Sequence, residues 1–242
     1  MADRREVYFV SDVHLGPGGG GFAEREAEFV AFLRSIPAES TRALYLLGDI
    51  WDFWFEYRAV VPKGYVRTFA ALSDLIDAGV EIVFVPGNHD LWPLGYLEEM
   101  GIKIMRQPFE VVLDGSVFCL GHGDFLGKVP FRDWLVGTIF RSKVLHALFS
   151  AVHPTPAYAL ARAWSQSNKE GRGEYQFAGQ SEPLYGWAED YSRSRKVDYF
   201  VFGHYHCNVD MTLPSGAHLV AGESWEKGAH FFRWDGQELS YK

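Results

Sequence analysis

Short apolar runs punctuate the first half of the chain, and each breaks off at a polar turn rich in glycine or aspartate. "EVYFVSD" from Glu6, "ALYLLGD" from Ala43 and "VEIVFVPGNHD" from Val80 read as buried strands. Unbroken runs of branched and aromatic residues of this length suit strands covered on both faces. Between the runs, apolar positions recur at helical spacing. In "FAEREAEFVAFLRSI", Phe22, Phe29, Phe32, Leu33 and Ile36 share one face. "YVRTFAALSDLIDAG" repeats that pattern and stops at Gly79. The alternation of strand and helix predicts an α/β body.

The second half carries more strands. "YLEEMG" reads as a short helix and "IKIM" as a strand. In "FEVVLDGSVFCLGHGD", two strand-like runs flank Asp114-Gly115, a strong hairpin signal. "VDYFVFGHYH" is a further buried strand, and "VDMTL", "AHLVAG", "AHFFRW" and "ELSYK" continue the pattern to the C-terminus. Residues 126–196 differ, being mainly helical, aromatic and broken by Pro154, Pro156 and the glycines around Gly171. The expectation is a single domain, 1–242, with a helical cap inserted at 126–196.

Composition narrows the class. With 242 residues, 48% hydrophobic, the chain can build a sizeable core. The first residues enter a strand pattern without a signal-type apolar stretch, and no run is long enough to span a bilayer, so a cytoplasmic setting is expected. Two distant cysteines, Cys119 and Cys207, fit free thiols in a reducing compartment. A formal charge of −8 argues against general nucleic-acid binding. The segment from Phe125 to Gly173 runs the other way: Lys128, Arg132, Arg141, Lys143, Arg162, Lys169 and Arg172 outnumber Asp133 and Glu170. A basic segment on an acidic body suits a local anionic partner.

The chemistry lies where the strands stop. The runs end in Asp12-Val13-His14, Gly48-Asp49, Gly87-Asn88-His89-Asp90, Gly121-His122-Gly123-Asp124 and Gly203-His204-Tyr205-His206. Loops at the carboxyl ends of strands converge on one rim. Each motif alone has a plain structural reading: an Asx turn, a helix cap at Asp49, a tight turn at "GNHD", a polar loop at "GHYH". Together they place carboxylate, imidazole and amide donors so as to hold two adjoining divalent cations of the Mn, Fe or Zn type. Such a pair activates water and neutralises phosphate charge. "GDIWDFWFEY" adds aromatic residues beside Asp49, among them Trp54, expected to wall a substrate groove.

The order of these motifs resembles the calcineurin-like metallophosphoesterases, over residues 6–125 and 197–225. The resemblance implies a four-layer α/β/β/α sandwich. It implies one cation on Asp12, His14, Asp49 and His206, and a second on Asp49, Asn88, His122 and His204, most suitably both Mn²⁺. His89 would contact the phosphate with Asp90 as its orienting partner, and Asp124 would orient a ligand. Within that superfamily, "SDVHLG", "GDIWDFWFEY", "VPKG", "PGNHD", "GHGD" and "FGHYH" resemble the UDP-2,3-diacylglucosamine diphosphatases of lipid A biosynthesis, in the branch carrying G-N-H-D; a related branch has arginine where His89 stands. The implied reaction is hydrolysis of the pyrophosphate bond to UMP and 2,3-diacylglucosamine 1-phosphate. Asn168, Lys169 and Arg172 of the cap are candidates to hold sugar and phosphate, against a reading as solvated surface. Peripheral contact with the cytoplasmic face of the inner membrane is expected, and no protein partner. The alternatives are a soluble nucleotide pyrophosphatase or phosphodiesterase of the same superfamily, and a scaffold that kept the fold without catalysis.

Overall fold

Alternation along single strands assigns each sheet two buried faces. In β1 (Glu6–Val10), Val7 and Phe9 point into one apolar cluster while Tyr8 and Val10 point into another. β2 (Thr41–Leu46) divides the same way, with Ala43 and Tyr45 against Leu44 and Leu46. A strand buried on both sides has no use for polar positions, which is why these stretches read as unbroken apolar runs. The computed structural model describes residues 4–16, 21–129, 135, 137–139, 142–160, 163 and 175–242.

The first sheet continues through β3 (Glu81–Phe84) and β4 (Lys103–Ile104), all parallel to β1 and β2. On its other side β10 (Phe232–Trp234) and β11 (Leu239–Tyr241) add antiparallel, giving the order β11-β10-β1-β2-β3-β4. The second sheet has the order β5-β6-β7-β9-β8, from β5 (Phe109–Leu113), β6 (Ser116–Leu120), β7 (Tyr199–Phe202), β8 (Val209–Thr212) and β9 (His218–Ala221). The predicted hairpin closes β5 on β6, with Asp114 at φ 50° and Gly115 at φ 91°, as a two-residue turn demands.

Two sheets stacked face to face enclose Phe9, Tyr45, Leu47 and Val83 against Leu113, Phe118, Leu120 and Val201. Ring stacking crosses that seam, Phe9 lying 5.6 Å from Phe118. Helices α1 (Phe22–Ser35) and α2 (Val66–Asp77) cover the outer face of the first sheet through Phe29, Leu33, Leu72 and Leu75. The helix Pro183–Ser192 covers the outer face of the second through Leu184, Tyr185 and Ala188. The result is the expected four-layer α/β/β/α sandwich. Helix α2 ends where Gly79 was expected to stop it. Gly79 N–H donates to Ile76 O and Val80 N–H to Leu75 O, satisfying carbonyls the helix leaves open. Both thiols are free.

Part of the segment expected to form a cap, 126–196, is described. The helix Lys143–Ser150 and helical residues 154–160 seat on the loop after β2. Tyr158 donates to the Phe55 carbonyl at 2.7 Å, and Phe149 packs edge-on to Phe53 and Phe55. Among the described residues, no helix is long and apolar enough to cross a membrane.

Candidate metal centre

The pairing of β1 with β2 does not stop at the strand ends. Asp12 N–H donates to Gly48 O, His14 N–H to Asp49 O, Leu15 N–H to Ile50 O, and Asp52 N–H back to Leu15 O. This extension fixes Asp12 and His14 beside Asp49. The loop after β3 is tied to it by Asp90, whose carboxylate accepts from the N–H groups of Gly87, Asp49, Ile50 and Trp51 at 2.7 to 3.3 Å. Asp12 reaches the second sheet in the same manner, accepting from His204 N–H at 3.0 Å. Two carboxylates thus clamp four loops from two sheets onto one rim.

The backbone is strained there. Asp12, His14, Asp49, His204 and His206 all have φ between 51° and 72°, a region that costs a non-glycine residue about 1–3 kcal/mol. Glycines bring the loops together. A Cβ on Gly203 would strike the Asp12 carboxylate, and one on Gly87 would lie 2.6 Å from Asp49 N.

His206 Nε2 is 3.1 Å from Asp12 Oδ1 and 3.1 Å from His14 Nε2. His122 Nε2 is 3.4 Å from Asp49 Oδ2 and 3.2 Å from Asn88 Oδ1. His204 stacks edge-on to His122 with centroids 5.1 Å apart. His89 Nε2 is 4.0 Å from Asp49 Oδ2. Asp12, His14, Asp49, His122 and His206, with His89, bring their ligand atoms together around buried Asp12 and Asp49, while Asn88 and His204 border that group at the His122 ring.

Tautomers say what this cluster is built to hold. His122 Nδ1 faces the Leu47 carbonyl at 2.9 Å, and a carbonyl only accepts, so Nδ1 carries the proton. His14 Nδ1 likewise faces the Asp52 carboxylate at 3.2 Å. In the neutral rings each Nε2 is then a bare lone pair, that of His122 aimed at the Asp49 and Asn88 oxygens and that of His14 at His206 Nε2, and these lone pairs repel one another. A cation between them removes that conflict, so the donor set fits divalent metal.

The electrostatics agree. Burial would raise Asp49, but the His122 and His89 imidazoles hold it well below the usual carboxylate range. Burial likewise opposes a low value at Asp12, yet His206 and His122 bring it to about 2. Burial opposes charge on His122 and His14, but Asp49 lifts the first well above its ordinary value and Asp52 lifts the second. Burial and the neighbouring His122 push His204 down to about 3.

These directions set an expected pH dependence. In metal-free protein the raised pKa values of His14 and His122 stabilise the fold below the unfolded value near 6.5, and that support is lost as pH rises through the folded values. Bound cations replace it. At cation concentrations about 100 times Kd, binding adds about 2.7 kcal/mol, or about 5–10 °C in Tm for a chain of this size. The Tm difference between Mn²⁺-loaded and EDTA-treated protein should widen between pH 6 and pH 8. A constant difference would contradict protons and cations competing for these nitrogens.

Some expectations need correction. Trp54 was expected to line the substrate groove, but it is fully buried. Its ring packs on Trp51, Tyr65 and Phe69, and its Nε1 donates to Glu56. Asp90 does not orient His89, because its oxygens are taken by backbone N–H groups; His89 Nδ1 faces the Asp52 carbonyl at 3.0 Å. Asp124 accepts from Gln107, and His122 is oriented by a main-chain carbonyl instead. Asn168, Lys169 and Arg172 lie outside the described residues.

What does form a groove is different. Phe53 and Trp92 pack with Phe149 and Tyr158 of the cap. An apolar cavity of about 330 Å³ opens there, lined by Trp92, Ile139, Leu145, Leu148, Phe149 and Val152. The cavity lies between Trp92, in the segment that follows Asp90, and the helix Lys143–Ser150. Glu56 was not anticipated. Buried, it accepts from Trp54 Nε1 and from the N–H groups of Leu94 and Tyr96, which fixes the segment carrying Trp92.

Comparison with known proteins gives concordant results. The family model described as calcineurin-like phosphoesterase matches residues 6–208. The chain is 33% identical to the UDP-2,3-diacylglucosamine hydrolase of Porphyromonas gingivalis, over 98% of this chain and 96% of that protein. It is 27% identical to the protein of the same name from Stenotrophomonas maltophilia, over 91% and 92%. A solved archaeal phosphodiesterase superposes over 98% of each chain with TM-score 0.49 and 12% identity.

Proposed function

The chain belongs to the calcineurin-like phosphoesterase family, and from that premise we propose that it hydrolyses the pyrophosphate bond of UDP-2,3-diacylglucosamine with two Mn²⁺ ions, releasing UMP and 2,3-diacylglucosamine 1-phosphate. It is a metal-dependent phosphoric anhydride hydrolase. The reading of its substrate is carried by the full-length similarity to a hydrolase of that name. The apolar cavity lined by Trp92 and the helix Lys143–Ser150 supports it, since a soluble nucleotide needs no such wall.

The residues divide the work. Asp12, His14, Asp49 and His206 would hold one cation, and Asp49, Asn88, His122 and His204 the other, with Asp49 shared. Held there, such a pair would supply a nucleophile at neutral pH and would draw charge off the phosphate oxygens. His89 has Nδ1 committed to the Asp52 carbonyl, so any proton it moves is on Nε2, which faces Asp49 and the site. Burial holds His89 below its ordinary pKa. Both leaving oxygens of a pyrophosphate are phosphate oxygens that need little protonation. His89 can donate to a phosphate oxygen only with Nε2 protonated, a form that an adjacent phosphate charge favours, so its role would be to hold the phosphate rather than to protonate the leaving oxygen.

Exposed Ile139, Val144, Leu145, Leu148 and Val152 extend the groove outward along the cap. Acyl chains would lie there, and the same surface would meet the inner membrane peripherally. Asn168, Lys169 and Arg172 remain proposed contacts for sugar and phosphate.

The test is to offer purified protein, with Mn²⁺, the diacyl substrate and its deacylated analogue. Removing about 150 Å² of acyl surface from water contributes roughly 4 kcal/mol before ordering costs, so kcat/KM should favour the diacyl form by about 100-fold or more. Equal turnover would indicate a soluble nucleotide pyrophosphatase and leave the metal centre standing.

A further inference from the structure

Strands that contribute no cation ligand bring a second polar group to the same rim. β9 runs parallel to β7, so its carboxyl end delivers Glu223 and Ser224 beside the loop of His204 and His206. β10 runs antiparallel to β1, so His230, just before it, arrives there as well. Ser224 Oγ and Trp225 N–H both donate to the Asp12 carbonyl, at 3.2 and 3.1 Å, which ties this corner to the cation ligands. We propose that Glu223 and His230 bind the vicinal hydroxyls of the ribose, at the nucleoside end of the substrate. The proposal rests on the UDP-sugar reading above.

Strand order puts this corner at the far side of the cluster from the apolar cavity. Along the first sheet the strands run β10, β1, β2, β3. Loops after β1, β2 and β3 carry Asp12, Asp49 and Asn88, and Trp92 of the cavity wall follows the last of them. Glu223 lies at the other end, because a Cβ on Gly222 would meet the rings of Phe232 in β10 and Tyr241 in β11 at 3.4 and 3.5 Å. A pyrophosphate whose acyl sugar points toward the cavity therefore carries its nucleoside toward Glu223. The groups there suit hydroxyls. His230 Nε2 is buried without a hydrogen-bond partner and lies 3.6 Å from Glu223 Oε2, while Lys227 Nζ is 3.8 Å from Oε1. Both separations exceed a hydrogen bond, so a hydroxyl can donate to Oε2 and accept from Nε2 in its N–H tautomer. The side chains are reachable, His230 being 21% and Glu223 30% exposed. They are also held in place: Glu223 N–H donates to the Tyr241 hydroxyl at 3.0 Å, and the His230 ring stacks on Tyr241 at 5.6 Å. The recess they line with Ser11 and Gly222 has a volume of about 10 Å³. That is room for one water-sized group, which admits a hydroxyl and not a uracil ring.

The test is calorimetric titration of the purified protein, with Mn²⁺, by UMP, by 2′,3′-dideoxyuridine 5′-monophosphate and by inorganic phosphate. Wild-type protein should bind UMP about 10–100-fold more tightly than the dideoxy analogue, the scale of hydrogen bonds to a charged group. Glu223→Ala should abolish that preference and leave the affinity for inorganic phosphate as it was. His230→Phe keeps a ring against Tyr241 but removes Nε2, and should lose part of the preference. The bond to the Tyr241 hydroxyl comes from the Glu223 main chain and survives both substitutions, and thermal unfolding checks that the fold does too. Equal affinity of the wild type for UMP and its dideoxy analogue, or a preference undiminished in Glu223→Ala, would overturn the proposal; continued cleavage of the diacyl substrate would then leave the substrate reading standing. The predicted preference in a protein that does not cleave the diacyl substrate would instead remove that reading and keep a ribose site.

Discussion

Replacing Asp49 by alanine should reduce turnover by at least about 10³-fold and leave no more than one metal ion per chain. Asp49 stands within reach of donors from both halves of the cluster. Its Oδ2 is 3.4 Å from His122 Nε2 and 3.9 Å from His14 Nε2. A cation pair contributes several kcal/mol to transition-state charge, and about 1.4 kcal/mol is tenfold in rate. Losing the shared ligand loses the pair. Asp49→Asn separates charge from shape, since an amide oxygen can still accept from His89 N–H, the bond now made by Oδ1 at 2.8 Å. It should hold the loop and still fail to hold the pair. Metal content by inductively coupled plasma spectrometry and turnover with Mn²⁺ check both variants. Two ions retained by Asp49→Ala would end the assignment of Asp49 as a bridge.

The contrast between Asp49 and Trp54 shows what could be read before the fold was known. Ligand-type residues at strand ends were legible because topology does the work: parallel strands deliver their carboxyl ends to one rim whatever the details of packing. The apolar runs were legible because a strand buried on both faces has no polar positions to interrupt the run. Trp54 was not legible as core, since aromatic composition is the same for a groove wall and a packed interior. What decides is direction, and direction came from the unforeseen Glu56 and from Tyr65 and Phe69, which claim the ring. Asp90 was misread for a related reason. A carboxylate next to a histidine invites pairing by sequence, yet four backbone N–H groups of two loops competed for it and won. Asp52 escaped notice because its importance lies in a side-chain contact 38 positions away in sequence.

Gly48→Ala should lower Tm in EDTA by about 5–20 °C, although it adds a single methyl group. Gly48 has φ 82°, and an added Cβ would lie 2.7 Å from Gly87 Cα and 2.7 Å from His122 Cγ. Neither neighbour can yield easily. Gly87 N–H is held by Asp90, and the His122 ring is held by the Leu47 carbonyl. Left-handed backbone on alanine costs about 1–3 kcal/mol and overpacking a further 1–3, with about 2–4 °C for each kcal/mol in a chain of this length. Working in chelator keeps loss of metal from contributing to the shift. Gly216→Ala separates the two costs, because Gly216 has φ 88° and nothing within 4 Å of an added Cβ. It should show the backbone cost alone, a shift of a few degrees. If Gly48→Ala melts no lower than Gly216→Ala, the loops after β2 and β3 do not approach each other as described, and the close packing that brings Asp49, Asn88 and His122 together would have to be given up with it.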